Sequence, residues 1–234
     1  MTEFEKWIAE RGIKRHADPF RPDTISYGWI DESSYRRRDE AITRFAFAIL
    51  DSATVTALLK HGPFLEVGAG TGYWAYELRK AGADIIATDP EPYSCNSHRP
   101  LGPSSANYYD VGDTLWSPIE RLDAKTAIER YVNAGSTVNG NVVNVGAAMR
   151  TLLMVWPSLG SDWTANALEQ FAARGGKRLV YVGEGDGGCT ANDRFHAMLD
   201  SSWTEVESID IPVWFGIHDW LRIYERASEL RADG

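Results

Sequence analysis

Three glycines at alternate positions, Gly68, Gly70 and Gly72, follow the apolar run Phe64-Leu65-Glu66-Val67 and precede a helix-forming stretch, Tyr73 to Ala81. A strand that turns through glycines into a helix is a common device of nucleotide sites. Glycine permits the tight turn and lets a ligand approach the backbone, and the first helical turn offers free N–H donors. The dinucleotide fingerprint puts its third glycine five positions after the first. That position is Tyr73, whose side chain would obstruct a pyrophosphate. The run Glu66, Gly68, Ala69, Gly70 and Gly72 is therefore expected to hold a nucleotide cofactor other than a dinucleotide.

In an open α/β sheet, ligands bind beyond the carboxyl ends of the strands. That rule selects Asp123 after the expected third strand, Trp156-Pro157-Ser158 at the end of the strand Thr151 to Trp156, and Glu184 after Arg178 to Val182. Glu184 could serve as a general base if burial raises its pKa; the competing reading is a solvated loop carboxylate. The last loop, Pro212 to Asp219, is expected to bring Trp214 and His218 to the same edge. His218 is a candidate acid or base by residue type, against the alternative of a structural histidine. Cys95 and His98 have a zinc-like spacing but no second ligand pair, so no metal is expected.

The run Glu66-x-Gly68-x-Gly70-x-Gly72 resembles motif I of class I SAM-dependent methyltransferases, whose pattern is acidic-x-Gly-x-Gly-x-Gly. The resemblance implies S-adenosyl-L-methionine as cofactor. It also implies that Asp89 accepts hydrogen bonds from both ribose hydroxyls, a natural task for a carboxylate with two acceptor oxygens. Asp123, in Leu122-Asp123-Ala124, is similar to the acidic residue that meets the adenine amino group, with Asp113 as rival. Trp156-Pro157-Ser158-Leu159 occupies the place of motif IV but keeps only its proline, so amine methylation cannot be read from it. Trp156 could stack on a planar substrate or flank the cationic methyl group, or simply pack in the core. Tyr73, Trp74, Pro157, Ser158 and Trp214 are the expected substrate contacts. His61-Gly62-Pro63, Leu153-Met154-Val155-Trp156-Pro157 and Gly216-Ile217-His218-Asp219 further resemble a largely uncharacterised subgroup, which implies fold and cofactor and no acceptor.

The elements that must position these residues alternate strand and helix after Pro63, which predicts an α/β, Rossmann-like fold with helices on both faces. A mostly parallel seven-stranded sheet is expected, with Leu115 to Glu120 as its third strand. Thr204 to Ile211 and Leu221 to Glu225 leave no room for a helix between them and predict an antiparallel closing strand. Residues 1–62 read as an N-terminal helical cap or substrate lid, with 33–60 as one helix; residues 63–234 read as the cofactor domain, with a Gly- and Asn-rich insertion near 133–150.

The formal net charge of -9 disfavours a nucleic-acid substrate, which usually demands a basic patch. Nine tryptophans favour a pocket for an apolar or aromatic ligand. No apolar run reaches the ~20 residues of a membrane helix, and the start lacks a secretory layout, so a cytoplasmic protein is expected. Methyl transfer to O, N or C of a small planar or aromatic molecule is the leading expectation. A nucleic-acid or protein methyltransferase, or a SAM- or SAH-binding protein without transfer, stands as the alternative.

Overall fold

The structure is a computed structural model that describes residues 1–18, 24–27, 32–92, 115–132, 136–138, 141–143 and 149–227. Helix α1 (Glu3–Glu10) starts at a reciprocal cap. Thr2 Oγ1 accepts the Glu5 N–H at 3.2 Å and Glu5 Oε2 accepts the Thr2 N–H at 2.6 Å. Short strands β1 (Arg15–Ala17) and β2 (Ile25–Tyr27) lead to α2 (Glu32–Arg44) and α3 (Ser52–Leu58), which runs into a single 3-10 turn, Leu59–His61.

The single helix expected over 33–60 is thus interrupted. Asp51 accepts the Thr54 N–H at 2.8 Å and starts a new helix. The carbonyls of Phe45 and Ala48 are taken by the Thr71 hydroxyl and the Trp74 indole instead of by helical N–H groups. Tertiary hydrogen bonds hold this stretch open against its apolar periodicity.

Beyond it come β3 (Phe64–Val67), α4 (Tyr73–Lys80), β4 (Ile85–Thr88), α5 (Ala124–Tyr131), and the hairpin strands β5 (Ser136–Val138) and β6 (Asn141–Val143). The remainder is β7 (Thr151–Val155), α6 (Trp163–Ala173), β8 (Arg178–Gly183), α7 (Asp193–Ser202), β9 (Trp203–Ile209), β10 (Val213–Trp214) and β11 (Trp220–Arg226). The antiparallel β5–β6 pair lies within the expected insertion.

The main sheet has the order β4-β3-β7-β8-β11-β9, parallel across its first four strands, with β11 antiparallel to both neighbours. No helix separates β9 from β11, so β11 must run back against β9, and it inserts between β8 and β9. Among the described residues six strands stand where seven were expected. The stretch 115–120 contributes one bridge, Glu120 beside Thr88, with the Asp89 N–H donating to the Glu120 carbonyl at 3.0 Å. Pro118 has no N–H to extend the ladder.

Both faces of the sheet are covered, and the pleat divides its residues between them. Phe64, Leu153, Val180 and Val182 join a core with α1, α3 and α4. Leu65, Val67, Leu152, Met154, Leu179 and Tyr181 join a second core under α5, α6 and α7. The small sheet β1-β2-β10 pairs Val213 with Ser26, so the N-terminal segment is tied to the last loop. Phe4, Trp7, Tyr27, Phe45 and Trp214 pack into the first core together.

Candidate functional site

Strand β3 runs directly into the glycine loop. Gly68, Gly70 and Gly72 have φ of 72°, 56° and 76°, the left-handed region that L side chains disfavour. The alternate spacing therefore follows from backbone shape. At Gly68 a Cβ would lie 3.2 Å from Cη2 of Trp163, and at Gly72 3.1 Å from Cδ1 of Ile119. The Ala69 N–H donates to the Thr88 carbonyl at 3.0 Å, and the Gly70 N–H to Asp89 Oδ2 at 3.0 Å. Asp89 Oδ1 accepts the Glu91 N–H at 2.8 Å. The buried Asp89 carboxylate thus fastens the loop to the end of β4.

Glu66 points to the same region from within β3 and is 1% exposed. Burial pushes its carboxyl up to about 8, and nearby Asp89 adds to the rise, while Arg79 and the Ala75 N–H oppose it. Among the described residues its Oε2 has no hydrogen-bond partner.

A cleft of about 450 Å³ opens beside the loop, lined among others by Gly68, Asp89, Asp123, Trp156, Ser158 and Trp163. That volume lies within the range of about 300–1,000 Å³ typical of small-molecule sites. Asp123 is exposed and caps α5, accepting the Thr126 N–H at 2.7 Å, which holds its carboxyl below the ordinary range. Its rival Asp113, together with Cys95 and His98, lies outside the described residues. Among the described residues no three His, Cys, Asp or Glu side chains gather as a metal site, and no helix is long and apolar enough to cross a membrane.

An adjoining recess of about 40 Å³ shares Gly68, Val155, Trp156 and Ser158 with the cleft. Phe47, Glu66, Gly70, Tyr73 and Trp74 complete much of its wall. Tyr73 and Trp74 are nearly fully buried, and their polar atoms are engaged: Tyr73 Oη accepts the Phe4 N–H at 3.0 Å, and the Trp74 indole donates to Ala48. Trp156 stands between the two cavities with φ of 50°. Its N–H donates to the Val182 carbonyl at 2.8 Å and its indole N–H to Asp219 Oδ1 at 2.6 Å. Phe47 stacks on it, centroids 4.9 Å apart and planes 10° apart. The Pro157 carbonyl accepts the Ala191 N–H at 3.0 Å, and Ser158 bridges to Thr190, so β7 is continued into the loop after β8.

Two expectations change here. A raised pKa was the condition for Glu184 to act as a base. Burial does push it up, but backbone N–H donors outweigh that and hold it below the ordinary carboxylate value. Oε1 accepts the His218 N–H at 3.0 Å and Oε2 the Cys189 N–H at 2.7 Å, so the side chain clasps two loops. His218 Nδ1 lies 3.7 Å from Oε1, with its side chain about half exposed. Neither residue lines the cleft or the recess. Trp214 also departs from expectation: it lines neither cavity and packs against Phe4 and Tyr27 with 2% exposure.

Phe47, Trp163 and Asp219 were missed. Phe47 was absorbed into the apolar face of a helix that does not form there. Asp51-Ser52-Ala53-Thr54, a capping sequence, is the signal that could have exposed the break.

The strand order and the antiparallel strand inserted before the last edge define a Rossmann-like α/β fold. Several solved structures similar to this chain at low identity are methyltransferases. Magnesium protoporphyrin IX methyltransferase from Synechocystis with bound SAM is 11% identical, with 86% of each chain covered and a TM-score of 0.42. The 1,6-didemethyltoxoflavin-N1-methyltransferase of Burkholderia thailandensis is 15% identical over 85% of this chain and 80% of that one, with a TM-score of 0.43. The N-methyltransferase NodS from Bradyrhizobium japonicum is 14% identical over 85% and 98%, with a TM-score of 0.40. No protein-family model matches the sequence, and no curated protein matches it.

Proposed function

We propose that this chain binds S-adenosyl-L-methionine and transfers its methyl group to O, N or C of a small planar or aromatic molecule. One observation carries the reading. A loop of three left-handed glycines is fastened by the Gly70 N–H to Asp89, and a 450 Å³ cleft opens on Gly68, Asp89 and Asp123. Asp89 meets the ribose, Asp123 and Trp163 flank the adenine, and Gly68 to Gly72 pass beside the methionine part. Glu66, buried behind the loop with an unpartnered oxygen, suits the ammonium of that part.

A sulfonium already activates its methyl group, so transfer is an in-line displacement governed by positioning and exclusion of water. The acceptor atom bonds to the methyl carbon as the carbon–sulfur bond breaks, and the electron pair stays on sulfur as SAH leaves. A proton on the acceptor passes to solvent or to a base. The clasped Glu184 is not poised for that task, which favours an acceptor whose proton is lost readily. The charge of -9 argues against nucleic acid as partner.

Ligand linkage tests the reading: SAM and SAH should raise the melting temperature while NAD does not. Equal stabilisation by NAD would overturn the cofactor assignment, and product detection by mass spectrometry would identify the acceptor.

A further inference from the structure

The two rings that meet at the recess are held in different ways. Trp156 is fixed through its backbone N–H on Val182, its indole N–H on Asp219, and the buried Pro157 that follows. Asp219 is itself 1% exposed. A positive φ on so bulky a residue persists only where its surroundings enforce it, and such strain concentrates at ligand sites. Phe47 belongs to the non-helical stretch between α2 and α3 and is half-buried. That stretch is pinned at Phe45 and Ala48, on either side of it. The recess bordered by both rings holds about 40 Å³, room for roughly one water. The larger cleft reaches the same Trp156. An aromatic acceptor cannot enter the recess while Phe47 covers the indole.

We propose that the Trp156 face is the seat for the planar ring of the acceptor, and that Phe47 occupies this seat until the ring displaces it. The acceptor's role as methyl recipient rests on the proposed function, whereas the ring site does not. A flat aromatic ring restores the stacking and apolar burial that Phe47 gives up, so the exchange is nearly balanced. A saturated ring of similar size restores the burial without the stacking and is disfavoured. Asp219 is a positioning residue, since its carboxylate sets the plane of the indole.

Calorimetric titration with indole and with decahydro-2-naphthol, a neutral saturated bicycle, without cofactor, tests this. Phe47→Ala should bind indole about tenfold more tightly than the parent protein, with a smaller gain for decahydro-2-naphthol. Phe47→Leu should show the same direction and serves if the alanine variant does not fold. Adding Trp156→Leu should abolish the gain. Asp219→Ala should lose the preference for the flat ring, and Asp219→Asn, which keeps an acceptor oxygen, should recover it. Unchanged indole binding in both Phe47 variants, or a gain that survives Trp156→Leu, would overturn the proposal. SAH titration of the parent protein reports on the cofactor reading separately, so the two can fail independently.

Discussion

Oε1 of Glu184 accepts the backbone N–H of His218 at 3.0 Å across 34 positions of sequence. With Cys189 on its other oxygen, this carboxylate joins the loop after β8 to the loop before β11. Glu184→Ala should lower stability by about 1–3 kcal/mol, because two backbone donors lose a charged acceptor. The lowered pKa adds a pH signature. The contribution is present above the unfolded value near 4.5 and disappears as pH falls through the folded value. Urea titrations of parent and variant should converge as the medium is acidified; a constant gap down to low pH would contradict the clasp.

Glu66 behaves in the opposite sense. Its folded pKa of about 8 lies above the reference of 4.5, so the neutral carboxyl favours the folded state. Its contribution is fully present below 4.5 and is lost as pH rises through about 8. Glu66→Gln keeps an acceptor for the Ala75 N–H and should remove that slope, leaving the variant the more stable of the two at alkaline pH. Denaturant midpoints between these pH limits provide the check.

The glycine loop makes a conformational prediction. Gly70, at φ 56°, should lose roughly 1–2 kcal/mol on substitution by alanine, the cost of left-handed backbone for an L residue. Gly185, with open space around its Cβ position, is the control and should change by less than ~0.5 kcal/mol. Similar losses at both sites would remove the backbone explanation for the alternate spacing.

Asp89→Ala should weaken SAH binding by about 1–3 kcal/mol through lost charged hydrogen bonds. It should also destabilise the unliganded protein, since the Gly70 and Glu91 N–H groups lose their acceptor. Calorimetry and denaturation separate the effects. Unchanged affinity would place the ribose contact elsewhere.

At Asp123 the cap and the ligand role can be told apart. Asp123→Ala should cost about 1 kcal/mol of stability by removing the cap on Thr126, and Asp123→Asn much less. If Asp123 also meets the adenine amino group, SAH affinity should fall in the alanine variant beyond what Asp123→Asn shows. Equal affinity in all three proteins would reduce Asp123 to a helix cap.

Much of the fold was legible because its signals are local. The buried runs Phe64–Val67, Thr151–Val155 and Arg178–Gly183, the glycine turn, and the absence of a helix before β11 all lie within short windows. The third strand was misread because Pro118 and the single bridge at Glu120 leave almost no ladder where the apolar pattern suggested one. The helix over 33–60 was misread because Thr71 and Trp74, more than twenty residues away, claim the carbonyls of Phe45 and Ala48.

By itself the sequence determined the glycine loop and the acid at the end of β4, since backbone conformation and strand polarity are written in neighbouring residues. Only the tertiary structure decided that Glu184 is a clasp, that Trp214 belongs to the core, and that Phe47 lies on Trp156. Those outcomes depend on which distant groups share a volume. A carboxylate among backbone donors and one in an apolar pocket have the same letter in the sequence and opposite pKa shifts in the fold, as Glu184 and Glu66 show.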